Sequence, residues 1–382
     1  MKIILANDYK TVIGGTEIYL WSLKKALEKN GHEVVVFGSS KSYDEYIYSQ
    51  KVKSIERYTK KLFNIQTYLD FKKLVNEFKP DIIHVHNFYN ELSPSILLVT
   101  GKIPIVMTVH DTLLVNAVSV LSGRTGEDCK TRTCSGCTNC VGFKGMIYEK
   151  LRKIIYRTLL KRISLFITPS IYLNNFLVEA GFQPIQTVYN GINLFKFSKV
   201  NNFDRLLYVG RMSRDKGVEY LLKAMPDIIK QFPKVKLILL GDGPDKDYFI
   251  NLSKKLDIIN NLNFLGSVNK EEIKKQFDEC SIVIVPSVFS EAFGLVVVES
   301  MSVGRPVIGT TSGALPELIE NDKTGYIIPS KNSHILAEKV IKLLSNKNLI
   351  ANMSKISKIK SMKYSIESHV IEITNIYKKF IK

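Results

Sequence analysis

One stretch in the second half of the chain combines two carboxylates with the expected start of a helix. Glu291 lies in a polar loop after an apolar, β-branched run, and Glu299 lies in a helix expected to begin near Gly294. The free N–H groups of a helix start favour an anionic ligand. Carboxylates beside such a site are explained if they accept hydrogen bonds from hydroxyl groups on the same ligand. The stretch therefore predicts a sugar-phosphate pocket; the alternative is two exposed acids at a helix start.

A second candidate anion site follows the predicted strand Leu206–Val209. The loop after this strand contains Arg211 and Lys216. Arg211 can hold a diphosphate through two parallel hydrogen bonds, and Lys216 can hold it as a point charge. Charge-assisted hydrogen bonds contribute about 1.5–3 kcal/mol each. Together with the helix start at Gly294, these cations are expected to stabilise a departing diphosphate without a metal ion.

Polar residues also end two strands predicted in the first half. Gly14 and Gly15 lie between a strand end and a helix start, where backbone amides can approach a diphosphate or an incoming hydroxyl, although tight turns use the same pair. His110 ends another strand, and Asp111 beside it is expected to orient the imidazole ring. A purely structural histidine is the alternative.

Four of the five cysteines lie in one loop, near residues 121–145. They are spaced C-x4-C-x2-C-x2-C, at Cys129, Cys134, Cys137 and Cys140. Such crowding in a cytoplasmic protein favours metal ligation by thiolates over disulfides. Structural zinc is the predicted occupant and an iron–sulfur cluster the second choice, with unliganded thiols as the alternative.

The chain alternates short apolar runs with amphipathic segments. This alternation is typical of βαβ units that build a parallel sheet, and 382 residues are enough for two domains. The polar stretch from about Phe197 to Asp204 predicts the linker between them. The fold class is therefore α/β, and the candidate residues follow strands, at the sheet edge where ligands bind.

Composition and charge limit the classes of partner. The apolar fraction of 45% and the charged fraction of 24% are those of a globular protein. No apolar run is long enough to span a membrane or to act as a signal peptide, so we expect a cytoplasmic protein. The net charge of +18 predicts phosphates, nucleic acid or an acidic lipid surface as partner, unless it reflects a Lys-rich proteome. Tyr148–Phe166 is a basic amphipathic helix of the type that lies on anionic lipid, with an ordinary surface helix as the alternative.

A series of different short motifs is spread in a fixed order along nearly the whole chain. They are Gly14-Gly15-Thr16-Glu17, His110-Asp111, Asn190-Gly191-Ile192, Gly210-Arg211-(x4)-Lys216-Gly217, Gly241-Asp242-Gly243-Pro244, Glu291-Ala292-Phe293-Gly294-(x4)-Glu299, Gly304-Arg305-Pro306-Val307-Ile308 and Gly313-(x2)-Pro316-Glu317. This ordered set resembles the GT-B glycosyltransferases of family 4. The resemblance implies two Rossmann-like, doubly wound domains that face a central cleft. Residues 1–197 would form the acceptor-side domain with the cysteine loop, residues 198–364 the nucleotide-sugar-binding domain, and residues 365–382 a helix that crosses back to the first domain.

The resemblance also implies roles for individual residues. Arg211 and Lys216 would hold the donor diphosphate, Glu299 the ribose hydroxyls and Glu291 the donor sugar, while His110 would lie beside the transferred sugar. His110, Glu291, Arg211 and Lys216 are accordingly the residues expected to act in catalysis. Further donor contacts are expected at Gly15, Gly210, Gly266, Ser267, Val268, Ala292, Phe293, Gly294 and Leu295. The cysteine loop is not part of the core family pattern.

The resemblance implies a retaining glycosyltransferase. It would move a sugar from a nucleotide-diphosphate sugar to a lipid-linked or polysaccharide acceptor in cell-surface glycan synthesis, without a catalytic metal, at the inner face of the cell membrane. A sugar-nucleotide epimerase of the same fold is one alternative, and a basic nucleic-acid-binding protein is another from a different class. The donor base, the sugar, the acceptor and the linkage are not encoded in these motifs.

Overall fold

A computed structural model describes residues 1–12, 14–41, 55–115 and 138–381. The chain divides into two compact units. The first comprises Met1–Gly191 together with Ile366–Lys382, and the second comprises Ile192–Ser365. The polypeptide therefore leaves the first unit once and returns to it at its end.

The first unit is built on a six-stranded parallel sheet of order β2-β1-β3-β4-β5-β6. Its four inner strands are buried and rich in β-branched or other apolar residues, as expected of a parallel sheet covered by helices, whereas the two edge strands are mostly half-buried. The strands are β1 (Lys2–Tyr9), β2 (Glu33–Ser39), β3 (Ile82–Val85), β4 (Ile105–Thr108), β5 (Leu165–Thr168) and β6 (Ile185–Thr187). The helices within Met1–Gly191 are α1 (Gly15–Lys29), α2 (Ile55–Leu62), α3 (Ile65–Phe78), α4 (Thr138–Leu159) and α5 (Ile171–Glu179).

The second unit repeats this architecture with the strand order β12-β11-β10-β7-β8-β9, again entirely parallel. Its strands are β7 (Arg205–Val209), β8 (Lys236–Leu240), β9 (Leu262–Gly266), β10 (Ile282–Val285), β11 (Val307–Thr310) and β12 (Gly325–Ile328). Its helices are α6 (Val218–Gln231), α7 (Lys246–Lys255), α8 (Lys270–Glu279), α9 (Leu295–Ser302), α10 (Leu315–Leu318), α11 (Ser333–Leu344) and α12 (Lys347–Ser361). The predicted α/β class is confirmed.

The last helix, α13 (Ile366–Phe380), packs in the first unit. Ile373, Ile376 and Tyr377 are buried there in the same apolar core as Leu20 and Leu23 of α1. A helix that is remote in sequence thus completes the core of the first sheet.

The basic helix predicted over Tyr148–Phe166 is wrong at both ends. Helix α4 begins at Thr138 and ends at Leu159, a short 3₁₀ turn covers Leu160–Arg162, and Phe166 belongs to β5. The apolar periodicity ran on past the true end because Leu160, Ile163 and the strand that follows are also apolar and buried. Among the described residues, no helix is both long and apolar enough to cross a membrane.

Candidate functional site

Three loops at the carboxyl edge of the second sheet are joined backbone to backbone. After β7, the carbonyl of Asp215 accepts hydrogen bonds from the amides of Val288 (2.9 Å) and Phe289 (3.1 Å), which follow β10. The loop after β11 joins the same group, because Ala314 N donates to the carbonyl of Glu291 at 2.9 Å. These contacts hold the chain segments that carry the candidate residues.

Two glycines make this close approach possible. Gly217 has a φ of 71°, and a Cβ there would lie 1.9 Å from the carbonyl oxygen of Pro286. Gly313 has a φ of 63°, and a Cβ there would lie 2.2 Å from the carbonyl oxygen of Glu291. Both positions therefore require glycine for conformation and for space.

Lys216 and Glu291 meet at the centre of this edge. Lys216 Nζ donates to Glu291 Oε1 at 2.8 Å, and Ser287 Oγ donates to the same oxygen at 2.6 Å. Lys216 also lies over the ring of Phe289, at 4.1 Å from its centroid. The lysine side chain is 22% exposed and the glutamate side chain 14%, so the pair is only partly open to solvent. A cation for phosphate and an acceptor for hydroxyls are thus placed side by side.

Arg211 lies in the same loop as Lys216 but is more exposed. Its Nε donates to Ser213 Oγ at 3.1 Å, and one terminal nitrogen donates to Asp215 Oδ2 at 3.0 Å. Its carbonyl accepts a hydrogen bond from the buried hydroxyl of Tyr208 at 2.8 Å, which anchors the backbone while the side chain stays 57% exposed. The guanidinium can turn toward an anion at little cost, because an exposed ion pair is weak.

Glu299, in the second turn of α9, has no hydrogen-bond or ion-pair partner for its carboxylate among the described residues. It is half-buried. Burial raises the pKa of this carboxyl group to about 7, although the charge of Lys270 opposes the shift. A half-buried carboxylate without a partner is an acceptor that a hydroxylated ligand could satisfy.

The remaining predicted donor residues lie along the same edge. Gly294 caps α9 with a φ of 103°, and the predicted helix start there is correct. Gly210 follows β7, and Gly266 ends β9, where its carbonyl accepts from Gly241 N at 2.8 Å. The neighbouring positions are partly or fully exposed, apart from buried Phe293: Ser267, Val268, Ala292 and Leu295.

In the first unit, Gly15 is exposed at the first position of α1. The preceding Gly14 is fixed by Glu17, whose carboxylate accepts from Gly14 N at 2.9 Å and from Asn7 Nδ2 at 3.0 Å. The same amide nitrogen of Asn7 also donates to the carbonyl of Tyr9 at 2.8 Å. Strand β1 therefore positions the glycine turn through a buried carboxylate.

His110 is held by another histidine. Its Nε2 lies 3.0 Å from Nδ1 of His86, and the two rings stack at 5.2 Å. The expectation that Asp111 orients His110 is wrong: Asp111 Oδ1 instead accepts from the amide of Leu113 at 2.8 Å. Burial, assisted by the charge of His369, lowers the pKa of His110 to about 3, so the ring is neutral near pH 7.

A network of buried hydrogen bonds lies next to His86. His369 Nδ1 faces the carbonyl of Tyr189 at 2.8 Å and must carry the proton there, so its Nε2 accepts from the Tyr19 hydroxyl at 2.8 Å. A hydrogen bond from Thr108 lowers the pKa of Tyr19, although burial outweighs it and raises that pKa overall.

His84 Nε2 lies 2.7 Å from the Thr108 hydroxyl, and His84 Nδ1 lies 2.6 Å from the Tyr377 hydroxyl. Every histidine in this network is neutral. Helix α13 supplies the residues at the two ends of the network, His369 and Tyr377.

Sequence reasoning missed Asp8. This buried residue near the end of β1 accepts hydrogen bonds from four consecutive amides, Tyr89 to Leu92, at 2.7–3.0 Å. Burial raises its pKa to about 6 despite those bonds. Its position just past the apolar run 3–6, near the carboxyl end of β1, was the available signal, since functional polar residues gather at that edge of a parallel sheet.

The predicted cysteine site falls outside the described residues. Cys129, Cys134 and Cys137 lie between residues 115 and 138, and the side chain of Cys140 is likewise not described. Cys280 is described and is a buried free thiol, as expected of a core cysteine. Within the described ranges, no group of three or more His, Cys, Asp or Glu side chains could hold a metal ion.

Two family models match the chain, one for each half. The model described as "Glycosyltransferase Family 4" matches residues 13–195. The model described as "Glycosyl transferases group 1" matches residues 192–360. An uncharacterised glycosyltransferase of Methanocaldococcus jannaschii is 28% identical over 96% of this chain and 95% of its own length. The N-acetyl-alpha-D-glucosaminyl L-malate synthase of Bacillus anthracis is 24% identical over 92% of this chain and 90% of its own.

Solved structures share the fold. Sucrose-phosphate synthase from Thermosynechococcus elongatus superposes with a TM-score of 0.74 at 19% identity, over 99% of this chain and 98% of that one. HepE from Anabaena, in complex with UDP and glucose, superposes with a TM-score of 0.71 at 19% identity, over 99% of this chain and 100% of that one. The predicted pair of Rossmann-like domains is confirmed.

Proposed function

Because the chain belongs to the GT-B glycosyltransferases of the family 4 type, we propose that it moves a sugar, with retention of anomeric configuration, from a nucleotide-diphosphate sugar to a lipid-linked or polysaccharide acceptor. The observation that carries the donor assignment is the cluster at the carboxyl edge of the second sheet. There Lys216 and Arg211 face away from the core beside Glu291, and the Glu299 carboxylate has no hydrogen-bond or ion-pair partner in the part of the chain that the structure describes. HepE was solved with UDP and glucose, which supports a nucleotide sugar as the donor class.

In this proposal each charged residue has a separate task. Arg211 leaves its exposed contact with Asp215 to bind the diphosphate, and Lys216 binds the same group as a point charge while keeping Glu291 in place. Glu291, steadied by Ser287, accepts from hydroxyls of the sugar, together with the backbone after it. Glu299 accepts from the ribose hydroxyls. Two cations stabilise the charge that develops on the leaving diphosphate, which makes a catalytic metal unnecessary.

The proposed reaction takes place on one face of the sugar. The bond between the anomeric carbon and the diphosphate oxygen breaks, and the acceptor oxygen bonds to the same face. The acceptor's proton passes to the leaving diphosphate, so no protein base is assigned. His110, neutral and oriented by His86, is proposed to hydrogen-bond a hydroxyl of the transferred sugar.

The biological setting is proposed from the charge. A net charge of +18 suits a protein that works beside anionic lipid-linked substrates in cell-surface glycan synthesis, at the inner face of the cell membrane. Both matched family models describe glycosyltransferases, so nucleic-acid binding is not retained as an explanation of this charge. Structural zinc at the four clustered cysteines remains a separate proposal, which metal analysis of the purified protein would test.

The proposal is tested by a thermal-shift panel of UDP-, GDP-, ADP- and dTDP-sugars, because a ligand that binds the folded state raises its stability. The donor that shifts the transition is then assayed for transfer. Release of nucleoside diphosphate only when an acceptor is present supports a transferase, whereas a changed sugar configuration in an otherwise intact sugar nucleotide, without an acceptor, points to the epimerase. If no sugar nucleotide raises the transition temperature, the donor assignment fails.

A further inference from the structure

We propose that one face of helix α4 docks on an anionic lipid membrane. This docking face consists of an apolar stripe and a basic flank. The stripe is Phe143, Ile147, Leu151 and Ile154, and the flank is Lys150 and Arg157, continued by Lys161 in the short turn after the helix. The inference extends the proposed function by assigning the surface that would bring the enzyme to a lipid-linked acceptor.

The apolar stripe is unusually exposed for such large side chains. Phe143 is 67% exposed, Ile147 52%, Leu151 48% and Ile154 66%. At 3.6 residues per turn, their spacing puts all four within roughly a quarter of the helix circumference. They therefore form one continuous apolar strip, whereas single exposed apolar residues elsewhere on a surface need no explanation.

The basic residues lie directly beside this strip. The same helical spacing places Lys150 and Arg157 along one flank of it, Lys161 follows in the 3₁₀ turn after the helix, and all three are exposed. Between Thr138 and Ser170 the sequence contains a single acidic residue, Glu149. Glu149 is buried and bonded to Arg152, so no carboxylate from this segment opposes the positive flank. An apolar strip with a cationic flank is the pattern of a helix that lies in the membrane interface.

The opposite side of α4 fixes the orientation of the docking face. Arg152 is buried; it donates to Glu149 at 2.7 Å and to the carbonyl of Leu113 at 3.0 Å. Tyr156 is buried and meets the ring of Phe88 at 5.8 Å between centroids. The helix is thus anchored by buried groups of one side, which leaves the other side outward.

Charge selects the occupant of this face. A second copy of the chain would bring the same three cations against one another, which disfavours an isologous dimer here. Anionic lipid supplies both the apolar phase for the strip and the negative charge for the flank. Each Lys or Arg near such a surface contributes about 1 kcal/mol to binding.

The test is flotation of the full-length protein with vesicles of phosphatidylcholine alone, or of phosphatidylglycerol and phosphatidylcholine in equal parts. We expect binding to the anionic vesicles that weakens as salt is raised. Leu151→Glu/Ile154→Glu should abolish it. Lys150→Glu/Arg157→Glu should weaken it on the order of thirty-fold or more, since two contributions are lost. The charge-matched control Lys25→Glu/Lys72→Glu, on exposed positions of α1 and α3, should bind within a few-fold of wild type.

Other outcomes overturn the inference. The first is binding to neutral vesicles that is as strong as binding to anionic ones. The second is a loss of binding in the Lys25→Glu/Lys72→Glu control as large as in the α4 variants. The third is a dimer in solution that depends on α4, without vesicle binding. Donor thermal shifts are measured on every variant. If a variant no longer binds vesicles but is still stabilised by the donor, the result concerns the docking face alone. If the donor does not stabilise the wild-type protein, the proposed function fails instead.

Discussion

The carboxyl group of Glu299 stands out at the level of single residues, because it is half-buried and no described residue pairs with it. Its raised pKa of about 7 places its ionisation in the range where enzymes are assayed. Hydroxyl groups donate hydrogen bonds to the ionised carboxylate more strongly than to the neutral acid. Donor binding should therefore favour the ionised form and lower this pKa.

A pH dependence of donor binding follows. Nucleoside diphosphate affinity should be full above pH 7 and fall by about tenfold between pH 8 and pH 6, since the free protein must then give up a proton to bind. Calorimetric titration of UDP across this range measures the effect. Glu299→Gln should bind weakly and lose most of the dependence; the part that persists belongs to the ligand's own phosphate. A wild-type slope equal to that of the variant would refute the assigned role.

The ion pair of Lys216 with Glu291 yields a second residue-level prediction. Lys216→Ala removes one of two cations proposed to meet the leaving diphosphate, and kcat should drop by about 10²–10³. Glu291→Gln keeps the size of the side chain but removes its charge, and should mainly raise KM for the donor. Lys223→Ala, which breaks a surface ion pair with Glu219 on α6, is the matched control and should act like wild type. Unchanged kcat in Lys216→Ala contradicts the assignment.

At the level of secondary-structure elements, the sequence was most informative where local chemistry decides the outcome. The start of α9 near Gly294 followed from residues at helical spacing after it, and strands such as β10 followed from unbroken β-branched runs. The end of α4 could not be predicted in this way, since apolar periodicity cannot separate the end of a helix from the apolar residues of the turn and buried strand that follow it.

Long-range partners were also beyond reach of the sequence. His86 bonds to His110 and Tyr19 bonds to His369 only because parallel strands and α13 bring them together. Asp111 was a natural but wrong choice for the partner of His110, since adjacency in sequence at a strand end points side chains to different places.

Arg305 gives a prediction about how elements are held together. Its guanidinium is fully buried and donates to the main-chain carbonyls of Phe277, Asp278 and Ser198 at 2.7–3.0 Å, which joins the end of α8 to the segment before β7. Arg305→Lys cannot satisfy all of them, so several buried acceptors lose their partners. We expect a loss of about 2–4 kcal/mol in the free energy of unfolding, measured by urea denaturation. Arg162→Lys, on the surface, should cost almost nothing; a similar loss there would contradict this explanation.

The buried histidines make the attachment of α13 sensitive to acid. His369 has its pKa lowered to about 4 by burial, against an ordinary value of 6.5. Below pH 6.5 the unfolded chain therefore binds a proton at this residue, whereas the folded chain binds it only near pH 4. The free energy of unfolding falls as the pH drops through this range. The effect of this residue alone between pH 7 and pH 5 is about 2 kcal/mol.

Comparison with His369→Gln isolates this effect. Asp8 and Asp111 act in the opposite direction, because burial raises each of their pKa values to about 6 and the folded state then gains protons first. Their contribution cancels when the pH dependence of wild type is subtracted from that of the variant. Urea unfolding at pH 7, 6 and 5 should show the variant losing less stability on acidification. Parallel curves would mean that His369 does not titrate as described.

At the level of the whole molecule, the chain order and the unit boundaries do not coincide. Residues 366–380 are the last helix in sequence, yet α13 supplies Val370, Ile373 and Tyr377 to the core of the first unit. Its Tyr377 and His369 also close the hydrogen-bond network of the first sheet. The proposed donor residues all belong to the second unit except for Gly15 and His110. The two units should therefore respond differently when the chain is shortened.

Truncation after Ser365 tests this division. Loss of α13 exposes apolar residues of α1 and removes one hydrogen-bond partner from His84 and one from Tyr19, so the first unit should lose its cooperative stability. The second unit keeps its own core and should still bind the nucleotide. Hydrogen exchange measured with and without UDP should show strands β1 and β3 exchanging fast while β7 and β10 stay protected. Variant Ile371→Ser, which changes only an exposed residue of α13, should keep both units protected. Full protection of β1 and β3 in the truncated chain would show that the first unit does not depend on its returning helix.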